Sequence, residues 1–566
     1  MSFRHKVWLA ATIFATMICL SCGQIYRPVV IPVSNIPPTP GDFHAVFSLN
    51  SNAYYGLTPD PTIPNQLDPT LVYAAGSGME VDVSGDTDLG VASLVNGTLS
   101  GANPTHAISL PNNSRVFVAA AGSVLANGVD TIASFTPASG SSGTSGIGNT
   151  NVISLPNYIA NLGAVPPAPP DFVCQYLPSF VAASQNTTVY VANYGVENAP
   201  SACNPNSTPP APTSTDSIAV VNASSNALSN IVYLPAGSHP VAMAQVQTPS
   251  GNKLYVANQG TNTISSFNTV DMTPNPPVTG FSGVSPAWMV ARGDGQFLYA
   301  LSQSDGQLWT ISTTNDSVTG SVSVGAGANY VLYDPNLNRL YVTNPATSSV
   351  YVFSVGGNLS SLMSTIVLTA GSSGNYPSCV NLCPMSVAAL PDGTRWYVAS
   401  YQLAGPSCLD PAFTTPTSLT STPVCFVSAS VTVVDALTNT IKSTISAFPS
   451  GTTSVPEVAN CLPANAQGVY NPGLVQVANP PAGPVFRFAA RFRVSAAAAA
   501  DSSRVYVSVC DAGSVAIINT TDSNTNNPGS NLPADTLVLD LPTPFGIGTT
   551  SNAAPPQNPI FLLTGR

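Results

Sequence analysis

Charge is what this chain has least of. Its 566 residues include 14 Lys and Arg against 25 Asp and Glu, so 7% of the side chains are charged, where an ordinary globular domain carries about 25%. Lys and Glu are down to three each, the glutamates being Glu80, Glu197 and Glu457. Exposed helix faces draw on those residues, so long surface helices are excluded, while the abundant Val, Thr, Tyr, Asn and Ser suit strands and turns. The net charge is -11. Phosphate neutralisation needs clustered cations, which excludes DNA and RNA as partners and disfavours docking on anionic lipid. Histidine is scarce too, with His44, His106 and His239 left after the first 21 residues and no two at metal-ligand spacing. The sequence has no Gly-x-Ser-x-Gly, His-Glu-x-x-His or Cys-x-x-Cys-His, so nothing promotes a serine to nucleophile, builds a zinc helix or attaches a haem. Trp288, Trp309 and Trp396 are too few for a ring of Trp-docked blades around a redox quinone. No cofactor and no metal are expected.

The amino terminus is an address. Arg4 and Lys6 precede a mostly apolar run from Val7 to Leu20, followed by Ser21-Cys22-Gly23, the three-part layout of a secretory signal too short to span a bilayer. Cys22 after a small residue resembles the lipobox of bacterial lipoproteins, which implies acylation of its thiol, although Cys19 stands where that family prefers Leu. Residues 1–21 are thus read as a signal peptide. Residues 22–41, with Pro28, Pro32, Pro37, Pro38 and Pro40, are read as a polyproline-rich tether and 42–566 as a single domain. Eight further cysteines, Cys174, Cys203, Cys379, Cys383, Cys408, Cys425, Cys461 and Cys510, make an even set for an oxidising compartment. Eight allow 105 pairings, so order alone fixes none. Cys174 with Cys203 and Cys408 with Cys425 each bracket a Pro/Ser/Thr-rich loop that a bridge would restrain.

A short run recurs through the body. Its copies are Arg115-Val-Phe-Val-Ala-Ala120, Thr188-Val-Tyr-Val-Ala-Asn193, Lys253-Leu-Tyr-Val-Ala-Asn258, Phe297-Leu-Tyr-Ala-Leu301, Arg339-Leu-Tyr-Val-Thr-Asn344, Arg395-Trp-Tyr-Val-Ala-Ser400 and Arg504-Val-Tyr-Val-Ser-Val509. The closest central aromatics, Tyr255, Tyr299 and Tyr341, lie 44 and 42 residues apart, the length of one four-stranded propeller blade. A Pro-led apolar strand precedes several copies, as in His239-Pro-Val-Ala-Met-Ala244, and a second strand follows across a polar turn. Tyr341-Val-Thr-Asn344 with its variants resembles the YVTN-type β-propeller repeat family of bacterial envelope proteins over roughly 104–540. Seven copies, with long Pro/Gly/Ser/Thr-rich intervals between some of them, predict an all-β, seven-bladed β-propeller of four-stranded antiparallel blades with long loop insertions, and the resemblance implies a lactonase-like propeller architecture. A degenerate eighth blade near Gly468–Ala478 is the alternative count. Leu71–Ala74 and Pro559–Leu563 are candidate strands of one shared blade that hides a sheet edge.

Candidate chemistry is sparse. In an extended Phe486-Arg-Phe-Ala-Ala-Arg-Phe-Arg493, Arg487, Arg491 and Arg493 share one face and the three Phe the other, which makes those arginines the ligand-binding candidates for an anion. His239 stands at a position equivalent to Ser285 and Cys383, which suggests a loop role. Asp82, Asp86 and Asp88 lack calcium-loop spacing and read as a turn. The expected function is a lipid-anchored envelope module that binds a protein, glycan or small molecule or serves as a scaffold. The alternatives are a lactonase-like hydrolase at the channel mouth and a surface-layer or adhesive component.

Overall fold

Alternation along each motif copy puts successive side chains on opposite faces of a sheet, and both faces prove to be interior. Tyr190, Tyr255, Tyr299, Tyr341, Tyr397, Tyr506 and Phe117 are all 0–1% exposed, each wedged between neighbouring sheets. In a computed structural model, the structure describes residues 45–51, 76–94, 103–122, 129–138, 147–156, 174–197, 199, 203–204, 213–248, 251–356, 359–369, 382–404, 426–446, 455–456, 461, 474–478, 485–488, 491–521, 533–544 and 557–565. These form antiparallel sheets, seven of four strands and one of three, with an extra two-residue strand on one of them and a separate hairpin of Leu474–Ala478 with Val485–Phe488. Numbered by chain order, blade II spans 103–154, III 178–233, IV 240–268, V 286–323, VI 330–367, VII 383–445 and VIII 494–542. Blade I joins Ala45–Ser51, Ser77–Asp82 and Thr87–Ser93 to the last strand of the chain, Asn558–Thr564. The innermost strands of the eight blades touch in sequence around a closed ring.

The fold is therefore an eight-bladed propeller, a correction to the seven expected. The seven motif copies supply the second strands of blades II to VIII, and the eighth blade is the shared one. Its second strand carries a disguised copy, Val46-Phe47-Ser48-Leu49-Asn50, in which Phe47 replaces Tyr and is 1% exposed. Asn50 pairs with Pro559 as Asn258 pairs with Pro240, so the register is that of a normal blade. Leu71–Ala74 lies outside the described residues. Leu474–Ala478, the other place for an eighth blade, pairs only into the separate hairpin.

The motif residues also lock neighbouring blades together. In five blades the residue just before the outermost strand is Asp or Asn with left-handed backbone: Asp86 (φ 51°), Asn226 (50°), Asp316 (50°), Asn439 (54°) and Asp535 (60°), residue types that tolerate that region in a turn. In three of them this residue receives the cation and the tyrosine of the preceding blade. Lys253 Nζ reaches Asp316 at 2.8 Å and the Tyr255 hydroxyl donates to the same carboxylate. Arg395 and the Tyr397 hydroxyl both reach Asp535 at 2.6 Å. Arg504 Nε reaches Asp86 at 3.0 Å and the Tyr506 hydroxyl at 3.2 Å, which ties blade VIII to blade I and closes the ring. Burial and the facing carboxylates push all three phenols upward in pKa, so they remain donors.

Candidate functional site: the axial channel

All inner strands run the same way along the axis, and six of them open near one end of the channel with Pro104, Pro178, Pro240, Pro286, Pro384 and Pro559. Each ladder slips by one residue just after the proline. Such a bulge re-aims the side chain that follows it. The residues two places after the proline include His106, Phe180, Trp288 and Phe561, and these four meet on the axis. His106 stacks on Phe180 with ring centres 3.9 Å apart and touches Phe561 at 4.7 Å and Trp288 at 5.9 Å. Trp288 meets Tyr330 at 5.0 Å and Phe492 at 5.5 Å, and Phe492 meets Phe561 at 5.8 Å. Blades II and V stand three places apart in the ring, so contact between His106 and Trp288 crosses the channel. This aromatic layer closes it.

Arg491 lies on the proline side of the layer. Its guanidinium donates to the Val241 carbonyl at 2.7 Å and to the Ala287 carbonyl, and it rests over Trp288 with 4.4 Å to the ring centre. A cation on an aromatic face with its N–H groups on carbonyls is satisfied without an anion. Burial and this neighbouring charge pull the His106 pKa well below its ordinary value, and its Nδ1 accepts the Val181 N–H at 3.3 Å, so the ring is neutral with its hydrogen on Nε2.

On the far side of the layer lies a cavity of about 310 Å³, lined by Ala107–Ser109 of blade II, Tyr330 and Leu332 of VI, Val387–Ala389 of VII, Ala496–Ala498 of VIII and Leu562–Thr564 of I. Opposite the motif aromatic, blades VII and VIII present Ala388 and Ala497 where blades I, II and VI present Leu563, Ile108 and Leu332. Ser109, Tyr330 and Thr564 are the hydroxyl-bearing side chains of the lining, and no carboxylate, imidazole or ammonium belongs to it.

The arginine segment does not form the single extended strand expected. Its strand ends at Phe488, the chain bends at Arg491, and a new strand starts at Val494. Arg487 lies in Val485–Phe488, of which only the backbone is described, paired with Val475. Arg493, expected on an exposed cationic face, is 2% exposed and grips Asp511 through two hydrogen bonds of 2.7 and 3.0 Å, with Tyr401 beneath its guanidinium. Arg491 and Arg493 thus face different partners. Of the acidic turn, Asp86 belongs to the ring-closing pair, Asp82 accepts from Ser84 N–H at 2.9 Å and Asp88 from Gly90 N–H at 2.8 Å. His44 and Cys22 lie outside the described residues.

Cys174 is bonded to Cys203, as the bracketing of its loop suggested, and Cys461 to Cys510, while Cys383 is also disulfide-bonded. Cys379, Cys408 and Cys425 lie outside the described residues. These bonds suit an extracellular or periplasmic compartment. No helix of the described residues is long and apolar enough to cross a membrane.

No protein-family model matches the chain, and no curated protein does. The repeat family therefore stays a resemblance. Among solved structures the chain is similar to the periplasmic gluconolactonase of Pseudomonas aeruginosa, with 12% identity over 93% of this chain and 99% of that one and a TM-score of 0.42. It is similar also to hydrazine synthase of Kuenenia stuttgartiensis, with 15% identity over 68% and 90% and a TM-score of 0.39. A proposed 6-phosphogluconolactonase of Bacteroides uniformis gives 13% identity over 71% and 95% with a TM-score of 0.39.

Sequence reasoning missed the axial residues Phe180, Trp288, Tyr330, Phe492 and Phe561. A signal was present: Pro-x-aromatic or Pro-x-His opens four inner strands, at Pro104, Pro178, Pro286 and Pro559.

Proposed function

We propose that this protein is an exported binding and scaffold module of the cell envelope, anchored by acylation of Cys22, whose axial cavity takes a small, neutral and largely apolar ligand. The cavity carries the reading. Five blades border an open cavity of about 310 Å³ whose uncharged lining combines alkyl side chains with three side-chain hydroxyls and other polar surface, so it can bury apolar groups and offers hydrogen bonds without a compensating charge. Of the aromatic layer Tyr330 belongs to its lining, and a ligand enters from the end at which the inner strands leave the channel. Blade edges and the long insertions are left for larger partners.

The test is uptake of the apolar fluorophore N-phenylnaphthylamine by the purified chain and by Ala496→Leu, which adds bulk to the cavity wall. Saturable uptake that falls at least tenfold in the variant, with an unchanged melting temperature, supports the reading. Equal uptake by both proteins rejects the cavity as the site. Turnover of a sugar lactone by the purified chain would replace this reading with the hydrolase.

A further inference from the structure

A polar cluster independent of the axial cavity occupies the seam between blades III and IV. Asp216, which immediately precedes the third strand of blade III, is fully buried. Its Oδ2 accepts from the Ser214 hydroxyl at 2.7 Å and from the Ser238 N–H at 3.1 Å. Its Oδ1 has no such hydrogen bond and faces Nδ1 of His239 at 3.2 Å. That same Nδ1 lies 2.9 Å from the carbonyl of Tyr194, a group that can only accept, so the ring hydrogen belongs on Nδ1 and the lone pair of the neutral ring on Nε2. The Tyr194 ring stacks on the imidazole at 4.4 Å with 12° between planes, which fixes the direction of Nε2.

Nε2 meets Glu197 Oε1 at 3.8 Å, and both groups reach solvent, the histidine side chain at 21% and the glutamate at 56% exposure. Two glycines make the approach possible. A Cβ on Gly260 would stand 2.7 Å from His239 Cδ2, and one on Gly237, whose φ is 76°, would stand 3.1 Å from Glu197 Oε1. An imidazole lone pair and a carboxylate oxygen thus face one another across a gap wide enough for a cation. Ligand bonds of about 2.0–2.2 Å at a tetrahedral angle place such atoms about 3.4 Å apart, a few tenths of an ångström closer than here and within the reach of an exposed glutamate. Carboxylate and carbonyl partners on the opposite ring nitrogen are the outer contacts that orient metal-bound histidines.

We propose that His239 Nε2 and Glu197 hold one divalent transition-metal ion of the Cu²⁺ or Zn²⁺ class, oriented by Asp216 and the Tyr194 carbonyl and completed by water. Among the described residues no three side-chain donors converge, so two protein ligands give an exchangeable, micromolar site and not a structural one. Glu197 lies within the segment closed by Cys174–Cys203 and His239 at the start of the blade IV inner strand. The ion would pin that segment to the next blade.

The probe is Cu²⁺ added in one equivalent to the full chain and read by electron paramagnetic resonance, with Zn²⁺ as competitor in calorimetry. The expected spectrum shows a single coordinating imidazole nitrogen, displaced by Zn²⁺. Glu197→Gln, a surface change, weakens binding about tenfold. His239→Asn, which suits the left-handed backbone there (φ 47°), abolishes the nitrogen signature. A signature that persists in His239→Asn, or equal affinity in Glu197→Gln, overturns the proposal. Ala496→Leu leaves metal binding unchanged, so failure of this site and failure of the axial cavity are told apart.

Discussion

Removing Asp86 tests whether the propeller is held shut by its last clasp. The Asp86 carboxylate receives Arg504 Nε at 3.0 and 3.2 Å and the Tyr506 hydroxyl at 3.2 Å, and Arg504 is 2% exposed. Asp86→Ala leaves a buried guanidinium with the Ser503 carbonyl at 2.9 Å and Asn519 Oδ1 at 3.0 Å, and leaves the phenol without this acceptor. Breaking a buried pair from one side costs about 3–5 kcal/mol. The two surviving acceptors move this case to the low end, and the burial cost of Asp86 itself, which raises its pKa, is recovered. The expected loss is about 3 kcal/mol, read from urea midpoints at constant m-value. Place matters as well as size. Asp316→Ala removes the same chemistry from the interior junction of blades IV and V, whereas Asp86→Ala acts where the two ends of the domain meet. Hydrogen exchange should therefore rise in Ala45–Ser51 and Asn558–Thr564 for Asp86→Ala and stay at the wild-type level in those strands for Asp316→Ala. A loss under about 1 kcal/mol, or the same exchange pattern in both variants, refutes the reasoning.

Other outcomes follow from the same geometry. Glu80, fully buried with Oε2 on the Ala138 N–H at 2.8 Å, has its pKa raised by burial to about 7 from 4.5. The fold prefers the protonated acid, so Glu80's own contribution to stability is fully present below pH 4.5, declines by up to about 3 kcal/mol as pH rises to 7 and is flat above. Glu80→Gln removes that slope in urea titrations at pH 5 and 8, and an unchanged difference between the two pH values contradicts it. Arg491→Met removes the guanidinium from the Val241 and Ala287 carbonyls and leaves those acceptors to water. Loss of about 2 kcal/mol with quenchable Trp288 fluorescence is expected, and fluorescence as shielded from acrylamide as in the wild type would refute Arg491's role in sealing the aromatic layer. Cys203→Ser opens a loop with sequence separation 29, for which chain entropy gives about 3.5 kcal/mol. Denaturant midpoints with and without reductant check it.

The blades were legible because the motif has to be what it is. A strand packed on both faces needs Val and Tyr in alternation, and those letters recur wherever a blade recurs. Of blade I the closing strand was legible, since Pro559–Leu563 lies within Asn558–Thr564, while its second strand escaped because Phe47 and Ser48 meet the same packing demand with other letters. The clasps escaped for a related reason. Asp316, Asp535 and Asp86 read locally as turn residues, and nothing near Tyr255, Tyr397 or Tyr506 marks the partner, which for Tyr506 lies 420 positions away. The arginine segment misled because charge was read as exposure. Carbonyl oxygens and an indole face receive Arg491, and an alternating pattern cannot show that. The run Ala496–Ala500 was plain in the sequence, yet small side chains make a cavity only where larger ones surround them, and that depends on which blades are neighbours.

The register of Val46 with Thr564 also sets a clock. Seven sheets can form in order as the chain lengthens, but the eighth waits for the final residues, and until then the strand Ala45–Ser51 has one open flank and the ring is a crescent. Loop closure over such a separation is slow. Closure of the ring is thus one late step, taken only when Asn558–Thr564 reaches Ala45–Ser51.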